Sequence, residues 1–200
     1  KKDPTKYVVD GFKVKPNEDG TFGIAQLVVA KIGGTEYYTM DDAFHAVKAG
    51  ETIVMQCDYT TSAIQYSGYD SFTIDLNGHT WTYTGTDVND AAFEINYPNV
   101  TLTVKNGTVV SNSMIGLIPT AMDGKILYSG SSLVFEEVKM TANGHSGIET
   151  NGGNENVNVT LKNCTLNVPN GFGIYFPSSG SLIIENTVIK AKTMGVQVCA

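Results

Sequence analysis

Two short, mostly apolar segments each carry one glutamate, and these carboxyl groups are the side chains best suited to acid–base chemistry. Glu94 lies in AAFEI, residues 91–95, and Glu149 lies in SGIET, residues 146–150. Inverting glycosidases hold two carboxyl groups about 6.5–9.5 Å apart, one as general acid and the other as general base. Glu94 and Glu149 are therefore the candidate catalytic residues, if the fold brings them to such a separation.

A second group of side chains is suited to binding rather than to reaction. Tyr175 lies in FGIYF, residues 172–176, and the polar residues Glu149, Asn151 and Gln197 lie in or beside similar segments. One aromatic ring flanked by hydrogen-bonding groups is the minimum needed to stack and orient a sugar ring. We therefore expect Glu149, Asn151, Tyr175 and Gln197 to form a ligand-binding surface, walled by the long loop at residues 111–124.

Metal and nucleophile chemistry find little support in the spacing of the residues that would carry them. The three histidines and three cysteines show neither zinc-type spacing nor a C-x-x-C motif. The adjacent pair His145 and Ser146 lacks a nucleophile elbow and is better interpreted as a turn. We predict no metal site and no cofactor.

Composition narrows the classes of partner. The 200-residue chain has a net charge of -7, and all 13 of its basic residues are Lys. An acidic chain without Arg does not favour phosphate backbones, so we predict no nucleic-acid partner. The chain contains no run of eighteen apolar residues, so we also predict no membrane insertion. Its length fits one main domain.

A repeated strand pattern must position the candidate residues. The segments around Asn106, Asn163 and Asn186 share apolar residues two and four positions before the Asn and three positions after it. Glu137 and Gly78 occupy the same position in two further copies, and successive copies are 28, 31, 26 and 23 residues apart. Repeats of this length are typical of stacked supersecondary units. We expect Asn106, Asn163 and Asn186 to form a structural ladder of side-chain amides between stacked turns.

A second strand is expected after each copy, in the segments AAFEI, KILYS, SGIET, FGIYF and MGVQV. Such units bury an apolar face only by stacking, about 4.8 Å apart, which predicts an all-β parallel β-helix. An antiparallel sandwich also has many short strands and is the alternative. In the β-helix, Glu94 and Glu149 lie two coils apart, at about 9.6 Å, with Leu127 between them.

The N-terminal part has different elements. Thr39 and Asp42 form a helix N-terminus followed by an apolar pattern, with Gly50 as the stop. Two hairpin turns are expected before it, at Glu18-Asp19-Gly20 and at Gly33-Gly34. We therefore divide the chain into an N-terminal hairpin or inter-module tail (1–26), a cap with a short helix (27–50) and β-helix coils (51–200). The last coil is incomplete, and we expect the natural chain to continue past Ala200 or another molecule to cover this edge.

Two segments carry a family resemblance. EYYTMDDAFHAVKAGETIVM resembles the N-terminal cap of pectate-lyase-like right-handed parallel β-helix domains, which leads into their first coil, and TIDLNGHTW resembles the coil that follows. The leading YVVDGFKVKPNEDGTFGI is similar to the segments that join tandem modules of bacterial adhesin-like surface proteins. This resemblance implies an extracellular location, at the cell surface or in the cell wall of a bacterium. Pectate lyases use an acidic calcium site with Arg as the usual proton abstractor, and polygalacturonases use several Asp on adjacent coils; this chain matches neither pattern.

Two functions therefore stay open. The first is a non-catalytic module that acts as a spacer or as an adhesive surface for glycans or for host or microbial proteins. The second is a polysaccharide lyase or glycoside hydrolase on the same scaffold. The missing Arg and Asp cluster favour the first.

Overall fold

The computed structural model describes residues 4–9, 11–119 and 128–199. Most of them lie in short strands, with a 3-10 helix at Pro4–Tyr7 and the helix α1 at Met40–Ala46. The strands in chain order are β1 (Phe12–Pro16), β2 (Phe22–Gln26), β3 (Ala30–Ile32), β4 (Thr35–Tyr37), β5 (Thr52–Met55), β6 (Tyr59–Thr61), β7 (Gln65–Tyr66), β8 (Phe72–Asp75), β9 (Thr80–Tyr83), β10 (Ala91–Glu94), β11 (Thr101–Ser111), β12 (Met114–Ile118), β13 (Ser132–Ala142), β14 (Ser146–Thr150), β15 (Val157–Lys162), β16 (Thr165–Val168), β17 (Phe172–Phe176), β18 (Gly180–Glu185), β19 (Val188–Ala191) and β20 (Val196–Val198).

Equivalent strands of successive coils stack in parallel. One ladder contains β5, β8, the first halves of β11 and β13, β15 and β18. A second contains β6, β9, the second halves of β11 and β13, β16 and β19. The third is a six-stranded sheet of β7, β10, β12, β14, β17 and β20. The chain is thus a parallel β-helix, and the predicted fold class is confirmed.

The core lies between these ladders and is filled by one row of apolar side chains from each. In the six-stranded sheet the inward row contains Phe93, Gly116, Ile148, Ile174 and Val196. Aromatic rings fill the early coils, with the Trp81 ring 5.1 Å from Phe93 and 4.8 Å from Tyr59 between centroids. Each coil buries its apolar row only against its neighbours, which makes stacking the source of stability.

Four of the corners between the first and second ladders contain one residue with a left-handed backbone, and the corner between β8 and β9 contains two, Asn77 and Gly78. Asn106, Glu137, Asn163 and Asn186 have φ values of 59°, 57°, 54° and 46°. Asn adopts this conformation more readily than other non-glycine residues because its short amide can bond locally. The repeated Asn is therefore explained first by backbone geometry.

Side-chain bonds at these corners join neighbouring coils but do not form one continuous ladder. The Asn186 amide donates to Asn163 Oδ1 at 3.3 Å, whereas the Asn106 amide donates to both carboxylate oxygens of Asp75 at 3.1 Å. The exposed Glu137 stands between Asn106 and Asn163, so the stack of amides is interrupted. The backbone of one corner bonds to the next coil directly, as in the 3.0 Å bond from the Asn163 N–H to the Glu185 carbonyl.

In the first copy of the repeat, the strand before the corner is two residues out of the predicted register. Aligning Gly78 with Asn106 pairs Trp81 with Val109, which the structure confirms, but it also pairs Leu76 with Val104, whereas the structure pairs Ile74 with Val104. The corner between β8 and β9 therefore has two extra residues. They place the buried Leu76 against the corner of the following coil, at Gly107. Gly107 accommodates Leu76, because a Cβ at Gly107 would lie 2.5 Å from the Leu76 Cβ.

The second strand of the following coil was wrongly predicted at KILYS. The structure places β12, with the sequence MIGLI, between β10 and β14. Residues 125–127 lie outside the described residues, and Tyr128 is not in a strand. The predicted loop at residues 111–124 is wrong for the same reason, since Met114–Ile118 is a strand; residues 120–124 also lie outside the description.

The N-terminal elements form as predicted. Strands β1 and β2 form one antiparallel hairpin around Gly20, and β3 and β4 form the other around Gly33. The Thr39 hydroxyl accepts a 3.1 Å bond from the Asp42 N–H and caps α1, which covers the start of the core with Met40 and Ala43. The helix ends at Ala46, four residues before Gly50, where the Glu51 carboxylate accepts a bond from the Lys48 N–H and holds a turn.

The exposed corner residue Glu137 provides a test of the left-handed corner. We predict that Glu137→Asn raises the free energy of unfolding by about 0.5–1 kcal/mol, because Asn adopts the left-handed region at lower cost than Glu. The measurement is the urea midpoint at unchanged slope. The neighbouring Glu136→Asn is the matched control and should give no gain, because Glu136 has no positive φ. An unchanged or lower midpoint for Glu137→Asn would contradict the explanation.

Candidate functional site

The register of the six-stranded sheet brings the sequence candidates into one row on its outer face. Glu94, Glu149, Tyr175 and Gln197 occupy this row together with two residues that the sequence did not single out. We call it the outer row; in spatial order it contains Tyr66, Glu94, Leu117, Glu149, Tyr175 and Gln197. Parallel stacking places equivalent side chains about 4.8 Å apart, so Glu149, Tyr175 and Gln197 are direct neighbours.

Leu117, and not Leu127, separates the two glutamates. Glu94 pairs with Leu117, and Leu117 pairs with Glu149. The spacing along the chain could have indicated that β12 is the second strand of this coil. Met114 follows Asn106 by eight residues, close to the nine that separate Ser146 from Glu137. The KILYS segment lies 19 residues after Asn106 and does not fit that interval.

Glu94 is buried rather than exposed on the outer face. Only 8% of its surface is accessible, and its Oε1 accepts a 3.0 Å hydrogen bond from the Ala91 N–H. Burial raises the pKa of Glu94 to about 7, with a smaller contribution from the Asp90 charge and an opposing one from the Ala91 bond. The expectation of a solvated carboxyl group at this position is therefore wrong.

Glu149 and Tyr175 are half-buried and have polar neighbours. Glu149 Oε1 lies 3.2 Å from Nε2 of the exposed His145, four residues earlier in the chain. The Gln197 amide donates to Cys199 Sγ, which in turn donates to the Tyr175 hydroxyl, both at 3.9 Å. The Cys199 hydrogen bond is the main cause of the raised pKa of Tyr175. These contacts orient the Tyr175 ring from one side.

An open groove of ≈490 Å³ lies against this part of the outer row. It contains three of the four predicted ligand-binding residues, and Gln197 lies beside Tyr175 but does not line it. The lining residues are Asn89, Met114, Leu117, Pro119, Glu149, Thr150, Asn151, Gly152, Tyr175 and Pro177. Ligand pockets commonly combine such apolar walls with a few polar groups.

Two polar residues of the groove differ in how they are already bonded. Asn151 Oδ1 accepts a 3.1 Å bond from the Gly153 N–H, which fixes its turn and leaves the amide NH₂ available. Thr150 is almost fully buried, and its hydroxyl has no hydrogen-bond partner among the described residues. Sequence reasoning missed Thr150, because the alternation of the strand predicts an inward side chain there.

This arrangement is suited to binding a hydroxylated ring. Tyr175 offers an aromatic face, Glu149 accepts hydrogen bonds, and the Asn151 amide donates them. Within the described ranges, no group of three or more His, Cys, Asp or Glu side chains is arranged to hold a metal ion. The described part of the chain also contains no helix of the length and hydropathy required to cross a membrane.

The fold places the chain in the class of parallel β-solenoids, and comparison with known families identifies one family within that class. The model of the family described as right handed beta helix region matches residues 47–200, and the chain belongs to this family. No curated protein and no solved structure gives a significant match.

The buried carboxyl group of Glu94 predicts a measurable pH dependence of stability. Its folded pKa of about 7 lies above the ordinary value of 4.5, so the stability it contributes is complete below pH 4.5 and is lost as pH rises through 7. In the wild type, we expect the unfolding free energy to fall by on the order of 2 kcal/mol between these pH values. We predict that this fall is absent in Glu94→Gln. The measurement is urea unfolding at pH 5 and pH 8.

The exposed Glu155 supplies the control for this experiment. Glu155→Gln also removes one negative charge and should leave the difference between pH 5 and pH 8 as in the wild type. A Glu94→Gln variant with the full wild-type difference would show that Glu94 is not the titrating group.

Proposed function

We propose that the chain is a non-catalytic, extracellular β-helix module of a bacterial surface protein, which serves as a spacer and presents a glycan-binding surface. The observation that carries the proposal is the half-exposed Tyr175, held between Glu149 and Gln197 in the outer row and lining an open groove. The resemblance of the N-terminal segments to module junctions of surface proteins supports the location.

The groove favours neutral sugars over acidic ones. Among the described residues that line it, the charged one is Glu149, and none is Lys or His, although His145 lies beside Glu149. A carboxylate accepts hydrogen bonds from sugar hydroxyls, whereas it repels a uronic acid. The net charge of -7 also repels acidic sugars at longer range.

The spacer role follows from the stacked ladders. Each coil bonds to its neighbours along all three ladders, so the module extends along one axis with fixed register.

The groove residues provide the main test of glycan binding. We predict that Tyr175→Ala weakens binding to the glycans selected on an array about tenfold, because it removes the stacking surface. Tyr175→Phe should retain most of the affinity, since the ring remains. Tyr38→Ala, which removes an exposed tyrosine far from the groove lining, is the matched control. Glycan binding that is unchanged in Tyr175→Ala would exclude this groove as the site.

A second candidate function is a carbohydrate-active enzyme, either a lyase or a hydrolase. One observation favours it: the pKa of Glu94 near 7 is typical of a general acid, and Glu149 lies two strands away with a carboxyl group that could act as base. Against it, Glu94 is buried, and Leu117 stands where a reacting water would be needed.

Product formation distinguishes the two functions. The wild-type chain is incubated with pectin, polygalacturonate and xylan, and both reducing ends and unsaturated products are measured. The enzyme function predicts release that Glu94→Gln and Glu149→Gln each lower at least about a hundredfold, since general acid–base groups contribute about 10²–10⁴-fold. Release that survives both substitutions, or no release from any of the three, would exclude this pair of carboxyl groups as catalysts.

A further inference from the structure

A second cavity, of ≈270 Å³, lies at the other end of the outer row, where the cap helix meets the first coil. Its walls come from Phe44 and Val47 on one side and from Tyr66, Tyr69 and Phe72 on the other. Tyr66 is the first member of the outer row, four strands from Tyr175. The buried Glu94 lies between them, so this cavity is separate from the groove at Tyr175.

The two tyrosines of this cavity are unusually exposed for aromatic side chains. Tyr69 is 79% exposed and Tyr66 is 46% exposed, and they are only three residues apart. Contiguous exposed apolar surface next to a cavity is a common mark of a binding site.

The segment that carries them is nevertheless held firmly. The Asn96 side-chain oxygen, in the next coil, accepts 3.0 Å bonds from the Ser67 hydroxyl and from the Gly68 N–H. The Asn96 N–H donates to Ser67 Oγ in return, at 3.2 Å. The Tyr69 ring itself packs on Tyr97, with 3.8 Å between centroids. A platform fixed in this way loses little conformational entropy when a ligand binds.

The polar groups of the cavity are mostly acceptors of hydrogen bonds. His45 Nδ1 donates to the Asp41 carbonyl at 2.7 Å, which leaves Nε2 available. The Gln65 amide donates to the Tyr66 carbonyl at 2.9 Å, which leaves Oε1 available. The Asp70 carboxylate lines the cavity and forms no hydrogen bond or ion pair in the described part of the chain.

We propose that this cavity is a second carbohydrate site, which takes one neutral sugar ring and uses Tyr69 and Tyr66 as the stacking surface. Three acceptors match the hydroxyl donors of a sugar, and no Lys is among the described residues that line the cavity, which disfavours an acidic sugar. The cavity lies just below the roughly 300–1,000 Å³ of pockets for drug-sized ligands, so it suits a single ring rather than an extended chain. The site is independent of the groove proposed at Tyr175.

Saturation-transfer NMR on the full chain tests the proposal. The probes are the methyl glycosides of glucose, galactose, mannose and N-acetylglucosamine at millimolar concentration, with choline chloride as a cationic probe. We expect at least one glycoside to bind, and Tyr69→Ala to weaken that binding about tenfold. Tyr69→Phe should retain it, and Tyr175→Ala and Tyr38→Ala should leave it unchanged.

The variants separate this proposal from the other site. Loss of binding in Tyr175→Ala but not in Tyr69→Ala would assign the sugar to the groove and overturn the second site. Binding of none of the four glycosides, or binding of choline alone, would also overturn it. If Tyr69→Ala lowers the melting temperature, Tyr66→Ala provides the same test, because the Tyr66 ring is not stacked on Tyr97. Sugar binding that is unchanged in Tyr66→Ala would count against the proposal.

Discussion

The left-handed corner between the first two ladders is the constraint on which the rest of the structure depends. Each corner residue, Asn106, Glu137, Asn163 or Asn186, reverses the sign of φ at one position while the strand hydrogen bonds continue on either side of it. A corner of one residue keeps neighbouring coils in the same register, because insertions in the loops elsewhere do not shift it. The corner between β8 and β9 shows the cost of departing from this geometry: its two extra residues place Leu76 where only a glycine, Gly107, can lie opposite.

Constant register determines what the outer face can present. Since side chains at equivalent positions lie about one strand spacing apart, a row of six residues contributed by segments scattered over more than 130 residues becomes a continuous surface. Glu149 and Tyr175 are 26 positions apart in sequence and adjacent in space. The backbone ladder bonds hold this register, so neighbouring positions of the row can carry different side chains.

The corner pattern and the inward rows are local features of the sequence, and they were sufficient to predict the β-helix. The cap helix and both hairpins were predicted from other local signals, the Thr39 and Asp42 N-terminus and the glycine turns. The errors have two physical origins. MIGLI was taken for a loop because a two-residue turn separates it from β11, whereas the other second strands are preceded by clearer Gly, Asn and Pro signals. Glu94 was expected to be solvated because strand alternation predicts only the direction of a side chain, and its burial depends on residues of other coils. The Tyr66 and Tyr69 cavity was missed for a related reason, since it forms where the cap meets the first coil.

The buried Glu94 also limits what a ligand of this face can be. A polysaccharide lying along the whole outer row would have to pass over a carboxyl group that is 8% exposed and whose pKa is raised by that burial. Removing the cover from Glu94 would expose a group stabilised in its neutral form by its apolar surroundings. The two proposed sites, one at Tyr175 and one at Tyr66 and Tyr69, therefore lie on either side of the buried Glu94 in the outer row. Because the ladders fix the separation of the two proposed sites, avidity between them requires a ligand whose sugars are spaced to match that separation.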